Sequence, residues 1–555
     1  MMEMHADLES HQASLIELDH DAVVIGGGIT GMYQVYQLKE IGMRVAGFEA
    51  GSDFGGTWFW NRYPGCRLDT ESYAYGYFAL NGIMPEWTWT ERFASQPELL
   101  RYAKTAAQRM NIRERYTFNV KVVSARFDDV ANFWRLELSS GKRVTTRYLI
   151  TAVGPLSATR MPDIPGIDKF KGESFHSSRW PRGDNDGPLV SDFTGKRVGI
   201  IGTGATGVQI IPVVAQTASS LHVFQRTPNW CTPLGNHPLT PEKMKDLMGD
   251  SEEFLDFIKS TPTAFPYSRS RKKAIQATEE ERNQLFESLY SMPGYGIWLS
   301  GYRDLLTNKV SNKYLSDFIA NKIRERVKDP GIAEKLIPKD HAFGTRRVPM
   351  ETNYYEVYNK DNVHLVDIKE SPITEITESG IQTADQHYEF DVIIYATGFN
   401  AVTGALDSID IYGSEGKKLK DVWAEGPVTY LGIQIAGFPN LFTLVGAHNG
   451  AAFCNIGVCG GLQVEWVSNF IKYLEEHGYC RCEPEIEAQE QWTEKVYRDY
   501  SMTLLAESDA WWVKVTKGLD GSIKKRALIY VGDAPEYRAY CEDIAAQDYV
   551  GFSKS

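Results

Sequence analysis

Two short glycine turns, each following a β-branched run and opening a helical stretch, constrain this 555-residue chain more than any other feature. The first reads Ala22-Val23-Val24-Ile25 and then Gly26-x-Gly28-x-x-Gly31, followed by a helix over 32–41 and a strand over 44–48 that ends at Glu49. The second reads Arg197-Val198-Gly199-Ile200-Ile201 and then Gly202-x-Gly204-x-x-Gly207, with Thr206 inside the turn, a helix to about 215 and a strand over 221–224. In such a turn the first glycine permits the bend, the second lets backbone approach a pyrophosphate, and the third lets helix pack on strand. The phosphates then meet unpaired N–H groups at a helix N-terminus. Two βαβ units of this kind predict an α/β chain with two Rossmann-like dinucleotide-binding domains.

The residue closing each second strand separates the two sites. Glu49 stands 21 residues beyond Gly28, where a carboxylate accepts hydrogen bonds from a ribose diol. Arg226 stands 22 residues beyond Gly204, beside Thr227. A guanidinium pairs with a 2′-phosphate that a carboxylate would repel, so the second site is predicted to take NADPH. The net charge of −13 disfavours nucleic acid and anionic lipid as partners, so an anionic ligand needs a local basic site such as this one.

The rest of the chain narrows the class. Seven scattered cysteines include no C-x-x-C pair, so the reading is free thiols in a reducing cytoplasm and no metal site. Residues 1–20 form a polar, acidic tail without a signal-peptide pattern, and no apolar run reaches the ~18–20 residues that span a bilayer. Helical segments dominate about 235–340: Thr240-Pro241 is an N-cap with proline at the first helical position, and Leu315, Phe318, Ile319 and Ile323 share one face. Strands follow at 363–366 and 390–395, the latter running into Ala396-Thr397-Gly398, then a helix over 461–476 and a terminal strand over 527–531.

A further glycine turn, Gly55-Gly56-Thr57-Trp58, comes soon after Glu49 and resembles that of FAD-binding flavoproteins with two dinucleotide domains, which assigns FAD to the first site. A disulfide reductase of that class needs a cysteine pair beside the flavin, and only Cys66 lies near it in sequence. The stretch Phe170-x-Gly172-x-x-x-His176-x-x-x-Trp180-Pro181 resembles the fingerprint of type I Baeyer–Villiger monooxygenases at every fixed position. Gly56-x-Trp58 with Tyr63-Pro64-Gly65-x-x-x-Asp69 resembles a second stretch of that family, and Phe343-Gly344-Thr345-Arg346-Arg347 is similar to its phenylacetone and steroid monooxygenase branch.

The resemblance implies an NADPH- and O₂-dependent enzyme that inserts one oxygen beside a ketone carbonyl through a C4a-peroxyflavin, giving an ester or lactone, with sulfoxidation as a side activity. It implies Arg347 as the active-site cation and Asp69 as the carboxylate that holds it. Gly26, Gly28, Gly31, Glu49, Gly56, Thr57, Trp58, Asp69 and Tyr75 are expected at FAD. Gly202, Gly204, Thr206, Gly207, Arg226, Thr227, Arg346 and Trp511 are expected at NADPH. Phe170, Gly172, His176, Trp180 and Pro181 would couple domain motion to hydride transfer, and Ala451, Ala452, Phe453 and Cys454 would line the ketone pocket. After Trp511 this chain departs from the family, with Val513-Lys514-Val515-Thr516-Lys517 where relatives carry Asn and Pro.

The expected order is a tail over 1–20, a first FAD segment over 21–155, an NADPH domain over 156–390 containing the insertion 235–340, and a second FAD segment over 391–555. The expected partners are a small ketone and O₂, with no nucleic acid and no membrane span, for a cytoplasmic monomer or weak homo-oligomer. The cyclic, aromatic and steroidal ketones stay open as substrates. So do two other readings: an N- or S-hydroxylating flavin monooxygenase, and a catalytically silent FAD- and NADPH-binding redox sensor.

Overall fold

The computed structural model describes residues 17–77, 83–84, 86–183, 187–449, 454–517 and 521–555. The β-branched run before the first glycine turn is strand β1 (His20–Ile25), and helix α1 (Ile29–Glu40) leads from the turn to β2 (Val45–Glu49). Strand β1 lies parallel between β2 and β6 (Arg143–Thr151), with Val24 opposite both Gly47 and Ile150. Strand β3 (Tyr116–Phe118) extends the parallel edge. Strands β4 (Val122–Asp128) and β5 (Phe133–Leu138) add an antiparallel meander on the other side. Ala22, Val23 and Val24 have no exposed surface, the pattern of a strand covered on both faces.

The second glycine turn joins β8 (Arg197–Ile201) to helix α2 (Ala205–Val214), which leads to β9 (Ser220–Gln225). These belong to an all-parallel five-stranded sheet ordered β12-β9-β8-β16-β7, where β7 is Glu173–His176, β12 is Val363–Asp367 and β16 is Val392–Tyr395. Such a sheet needs long crossovers, and the one between β9 and β12 carries helices Pro241–Met248, Ser251–Ser260, Glu279–Ser291, Lys309–Arg326 and Pro330–Leu336. As the sequence predicts, Thr240 caps the first of these by accepting from the Lys243 N–H at 3.3 Å. Leu315, Ile319 and Ile323 are buried along Lys309–Arg326.

Three boundaries differ from those expected. Strand β16 pairs with β7 and β8, so 392–395 belongs to the second sheet and the return to the first sheet comes later than 391. The long C-terminal helix, α3, spans Ile456–Glu476, starting five residues before 461 because the Asn455 side chain caps it by accepting from the Gly457 N–H at 3.1 Å. Residues 528–530 are buried and Val531 half-buried without forming a strand, whereas Ile523–Ala527 pairs with Val513–Lys517 as an antiparallel hairpin. The apolar content of 528–531 reflects burial, not ladder pairing.

Candidate active site

The two glycine turns have the geometry a pyrophosphate requires. Helices α1 and α2 begin at Gly28 and Gly204 with no side chain capping them, which leaves their first N–H groups free for an anion. A Cβ on Gly56 would stand 2.7 Å from the Gly28 Cα, so the two turns touch through bare backbone; a Cβ on Gly204 would meet nothing within 4 Å. Glu49, 6% exposed, accepts the Gly27 N–H on one carboxylate oxygen and the Gly51 N–H on the other, each at 2.6 Å. Burial raises its pKa and these two donors oppose that rise. The Trp58 indole donates to the Tyr75 hydroxyl at 3.0 Å, and Thr57 opens the short helix Thr57–Trp60 just after Gly56. An uncapped helix end, a bare-backbone contact and a strand-end carboxylate together fit the adenosine half of FAD.

At the second turn, Thr203 Oγ1 donates to the Thr227 carbonyl at 3.0 Å, tying the turn to the end of β9. Arg226 is exposed at that strand end. Arg346 lies within electrostatic range of Arg226, Asp340 and Asp509; burial lowers its pKa, and its Nε is buried without a partner. A guanidinium exposed at the strand end, with a second within electrostatic range of it, suits the 2′-phosphate end of NADPH.

The fingerprint residues lie at the end of β7, beside the segment by which the chain leaves the second sheet. His176 closes β7; its Nδ1 accepts the Ser178 N–H at 3.2 Å, so Nε2 carries the proton and donates to the Gly398 carbonyl at 3.2 Å. Burial lowers the His176 pKa, which keeps the ring neutral at pH 7. Trp180 is buried against Phe175 and Phe193 and donates to the Val190 carbonyl at 2.9 Å. A Cβ on Gly172 would stand 2.5 Å from the Phe170 ring and 2.6 Å from the Asp391 carbonyl oxygen. Pro181 accepts the Leu189 N–H at 2.9 Å. His176 thus meets the Ala396-Thr397-Gly398 segment that leaves β16. The two units are tied by Tyr63, whose hydroxyl donates to Gln209 of α2 at 2.9 Å, while the Gln209 amide donates to the Arg67 carbonyl at 3.2 Å.

Arg347 and Asp69, 278 residues apart, meet directly. Arg347 Nη2 and Nε lie 2.8 Å and 3.3 Å from the same Asp69 oxygen, and Nη2 also donates to the Tyr295 hydroxyl at 2.7 Å. The side chains of Arg347 and Asp69 are 28% and 20% exposed. Burial works against the Arg347 charge, but the Asp69 carboxylate and the Tyr295 hydroxyl outweigh it, and its pKa lies above the ordinary arginine value. Tyr295 carried no signal in the sequence, because nothing local links a tyrosine at 295 to an arginine at 347.

The segment carrying Trp511 packs against the Arg346-Arg347 loop, with Ser508 Oγ donating to the Thr345 carbonyl at 2.8 Å. Trp511 is half-buried beside Trp512, and the departure from the family pattern is the alternating strand that opens the hairpin Val513–Lys517. Of the expected ketone pocket, Ala451, Ala452 and Phe453 lie outside the described residues. Cys454 is described and is disulfide-bonded to Cys459, with the two Cα atoms 6.3 Å apart. That corrects the reading of all seven cysteines as free thiols: the turn into α3 brings together two residues that a C-x-x-C search passes over. Among the described residues no group of three or more His, Cys, Asp or Glu side chains is placed to hold a metal ion, and no helix is long and apolar enough to cross a membrane.

Comparison with known proteins gives a consistent answer. Residues 20–247 match the pyridine nucleotide-disulphide oxidoreductase family. The chain is 63% identical over 532 residues, 96% of its length and 98% of the relative's, to the 2-oxo-Delta(3)-4,5,5-trimethylcyclopentenylacetyl-CoA monooxygenase of Pseudomonas putida. It is 39% identical over 98% of both chains to a Baeyer-Villiger monooxygenase of Pseudooceanicola batsensis. A crystal structure of OTEMO in complex with FAD and NADP superposes with a TM-score of 0.94 at 61% identity, covering 97% of this chain and 100% of that one. Full-length identity at this level, two uncapped dinucleotide turns and an arginine held on a carboxylate agree: the chain belongs to the Baeyer–Villiger monooxygenases, enzymes that use FAD and NADPH to insert oxygen beside a ketone carbonyl.

Proposed function

We propose that this enzyme acts on a cyclic ketone carried as a coenzyme A thioester and converts the ring to a lactone. The observation that carries the reading is the 63% identity, over nearly the whole of both chains, to a monooxygenase of a trimethylcyclopentenylacetyl-CoA. The test is kcat/KM for such a thioester against the free acid and against simple cyclic, aromatic and steroidal ketones. The thioester is expected to be preferred by at least about tenfold, the equivalent of one or two charge-assisted contacts to its tail. Equal values for thioester and free acid would exclude the tail as a recognition element.

Each group at the site has a role in this reading. The N–H groups at the start of α1 hold the FAD pyrophosphate, Glu49 receives the ribose, and Trp58 and Tyr75 flank the cofactor. Arg226 and Arg346 hold the NADPH 2′-phosphate, with Thr206, Thr227 and the start of α2 on its pyrophosphate side and Trp511 at the nicotinamide. Bound FAD, reduced by NADPH, supplies the oxygen chemistry. Arg347, kept charged by Asp69, presents a fixed cation where negative charge grows on oxygen, and such preorganised charge acts strongly where water is excluded. His176, bonded to the segment that leaves the second sheet at Gly398, transmits movement along that segment, and Trp180 braces the strand end that carries it. Cys454 borders the ketone.

Arg226→Ala removes one charge-assisted pair to the phosphate. We expect the KM for NADPH to rise about 10- to 100-fold, the equivalent of 1.5–3 kcal/mol, with little change for NADH. Initial rates at varied cofactor concentration check this, and an equal loss for both cofactors would contradict the assignment. The proposed setting is the cytoplasm, where NADPH is supplied, with the enzyme acting as a monomer or weak homo-oligomer; cell fractionation and light scattering test both.

A further inference from the structure

The bond between Arg347 and Asp69 leaves a degree of freedom. Nη2 and Nε both point at one carboxylate oxygen, Asp69 Oδ2, whereas a fork that engages both oxygens would fix the guanidinium plane. On that bond alone the guanidinium can swing about a single oxygen. Tyr295 closes this freedom: its hydroxyl accepts from Arg347 Nη2 at 2.7 Å, and its ring centroid lies 5.6 Å from the Arg347 Cζ. Tyr295 is itself fixed, being 1% exposed, and burial lifts its pKa far enough to keep it neutral at any working pH. Its backbone N–H donates to the Tyr267 hydroxyl at 2.9 Å, and that hydroxyl donates to the fully buried Glu71, which also takes Arg92 Nη2 at 3.3 Å. Gly294, with φ +82°, allows this approach, because a Cβ there would stand 2.9 Å from the same Glu71 oxygen. The chain Arg92–Glu71–Tyr267–Tyr295 thus runs from the first unit through the helical insertion to Arg347.

We propose that Tyr295 is a positioning residue for oxygen insertion, orienting the Arg347 guanidinium through its hydroxyl, with Tyr267 and Glu71 as its anchor. This rests on the reading of Arg347 as the cation of the reaction. A guanidinium that swings away leaves activated oxygen without its counter-charge, and the electrons from NADPH then leave with O₂ as hydrogen peroxide instead of entering the product.

The test is Tyr295→Phe, which keeps the ring and deletes the hydroxyl, measured on FAD-loaded protein. We expect product formation to fall about tenfold, as for loss of one hydrogen bond to a charged group, with the NADPH no longer ending in product appearing as hydrogen peroxide. The KM for NADPH and the rate of flavin reduction should stay unchanged, a split that a general loss of structure would not give. Wild-type coupling in FAD-loaded Tyr295→Phe would overturn the proposal. If that variant fails to load FAD, Tyr267→Phe takes its place: lowered coupling with normal flavin reduction supports the anchor, and full coupling overturns it. Arg347→Ala separates the two ideas. If Arg347→Ala still makes product, the reading of Arg347 fails; if Arg347→Ala is inactive and Tyr295→Phe is fully coupled, only the role of Tyr295 fails.

Discussion

Arg347→Ala should lose ester or lactone formation by about 10²–10³-fold while its flavin is still reduced by NADPH. The factor is that of removing one preorganised donor from a site where charge develops, and here the group removed carries a full charge. Asp69 would be left without its cation, a second cost that rescue by small guanidinium compounds would lessen. In the proposed reading Arg226, Arg346 and the α2 turn hold NADPH and the Arg347 side chain does not, so anaerobic bleaching of the flavin should proceed at close to the wild-type rate. Arg347→Lys should recover only part of the loss, because an ammonium cannot serve Asp69 and Tyr295 in the same geometry. Product formation by Arg347→Ala within threefold of wild type would remove the arginine from the reaction.

The second large effect is expected at the first glycine turn. A Cβ on Gly31 would collide with the Gly26 carbonyl oxygen, and would stand 3.0 Å from the Gly26 carbonyl carbon and 3.3 Å from the Ala152 Cβ. Two of those three contacts are backbone, so relief requires α1 to move off β1, at a cost of about 1–3 kcal/mol for overpacking. The same shift withdraws the N–H groups at the helix start from the phosphates. Gly31→Ala should therefore be purified with little FAD, lose activity in proportion, and melt at a lower temperature that added FAD raises. Full flavin occupancy in the variant would show that the turn tolerates the shift or that the pyrophosphate binds elsewhere.

Much of this was legible in the sequence, for reasons that differ from element to element. The two glycine turns could be read because their chemistry is local: bend, backbone approach and helix start all fall within six residues. The closing residues Glu49 and Arg226 could be read because a βαβ unit has a nearly fixed length. The cap at Thr240 and the face formed by Leu315, Ile319 and Ile323 follow from spacing alone. Strand β16 is legible as a strand but its side of the domain boundary is not, since membership of a sheet depends on which neighbour it pairs with. The run 527–531 looked like a strand because burial and β-pairing select the same side chains. The Cys454–Cys459 bond depends on a bend whose position was set five residues too late. The pairing of Asp69 with Arg347 came from resemblance, and Tyr295 was out of reach because contacts across two domains and an insertion leave no periodic trace.

If Arg347 controls the reaction, one atom of dioxygen enters the ketone only while its guanidinium is present. The direct measurement is the mass of the product formed from NADPH and isotopically labelled dioxygen, compared between the wild-type enzyme and Arg347→Ala. The account predicts an ester or lactone from the wild type carrying one labelled oxygen for each NADPH consumed, and from Arg347→Ala hydrogen peroxide with no labelled ester. Labelled ester from Arg347→Ala at the wild-type yield, or hydrogen peroxide alone from the wild type with every ketone and thioester offered, would contradict it.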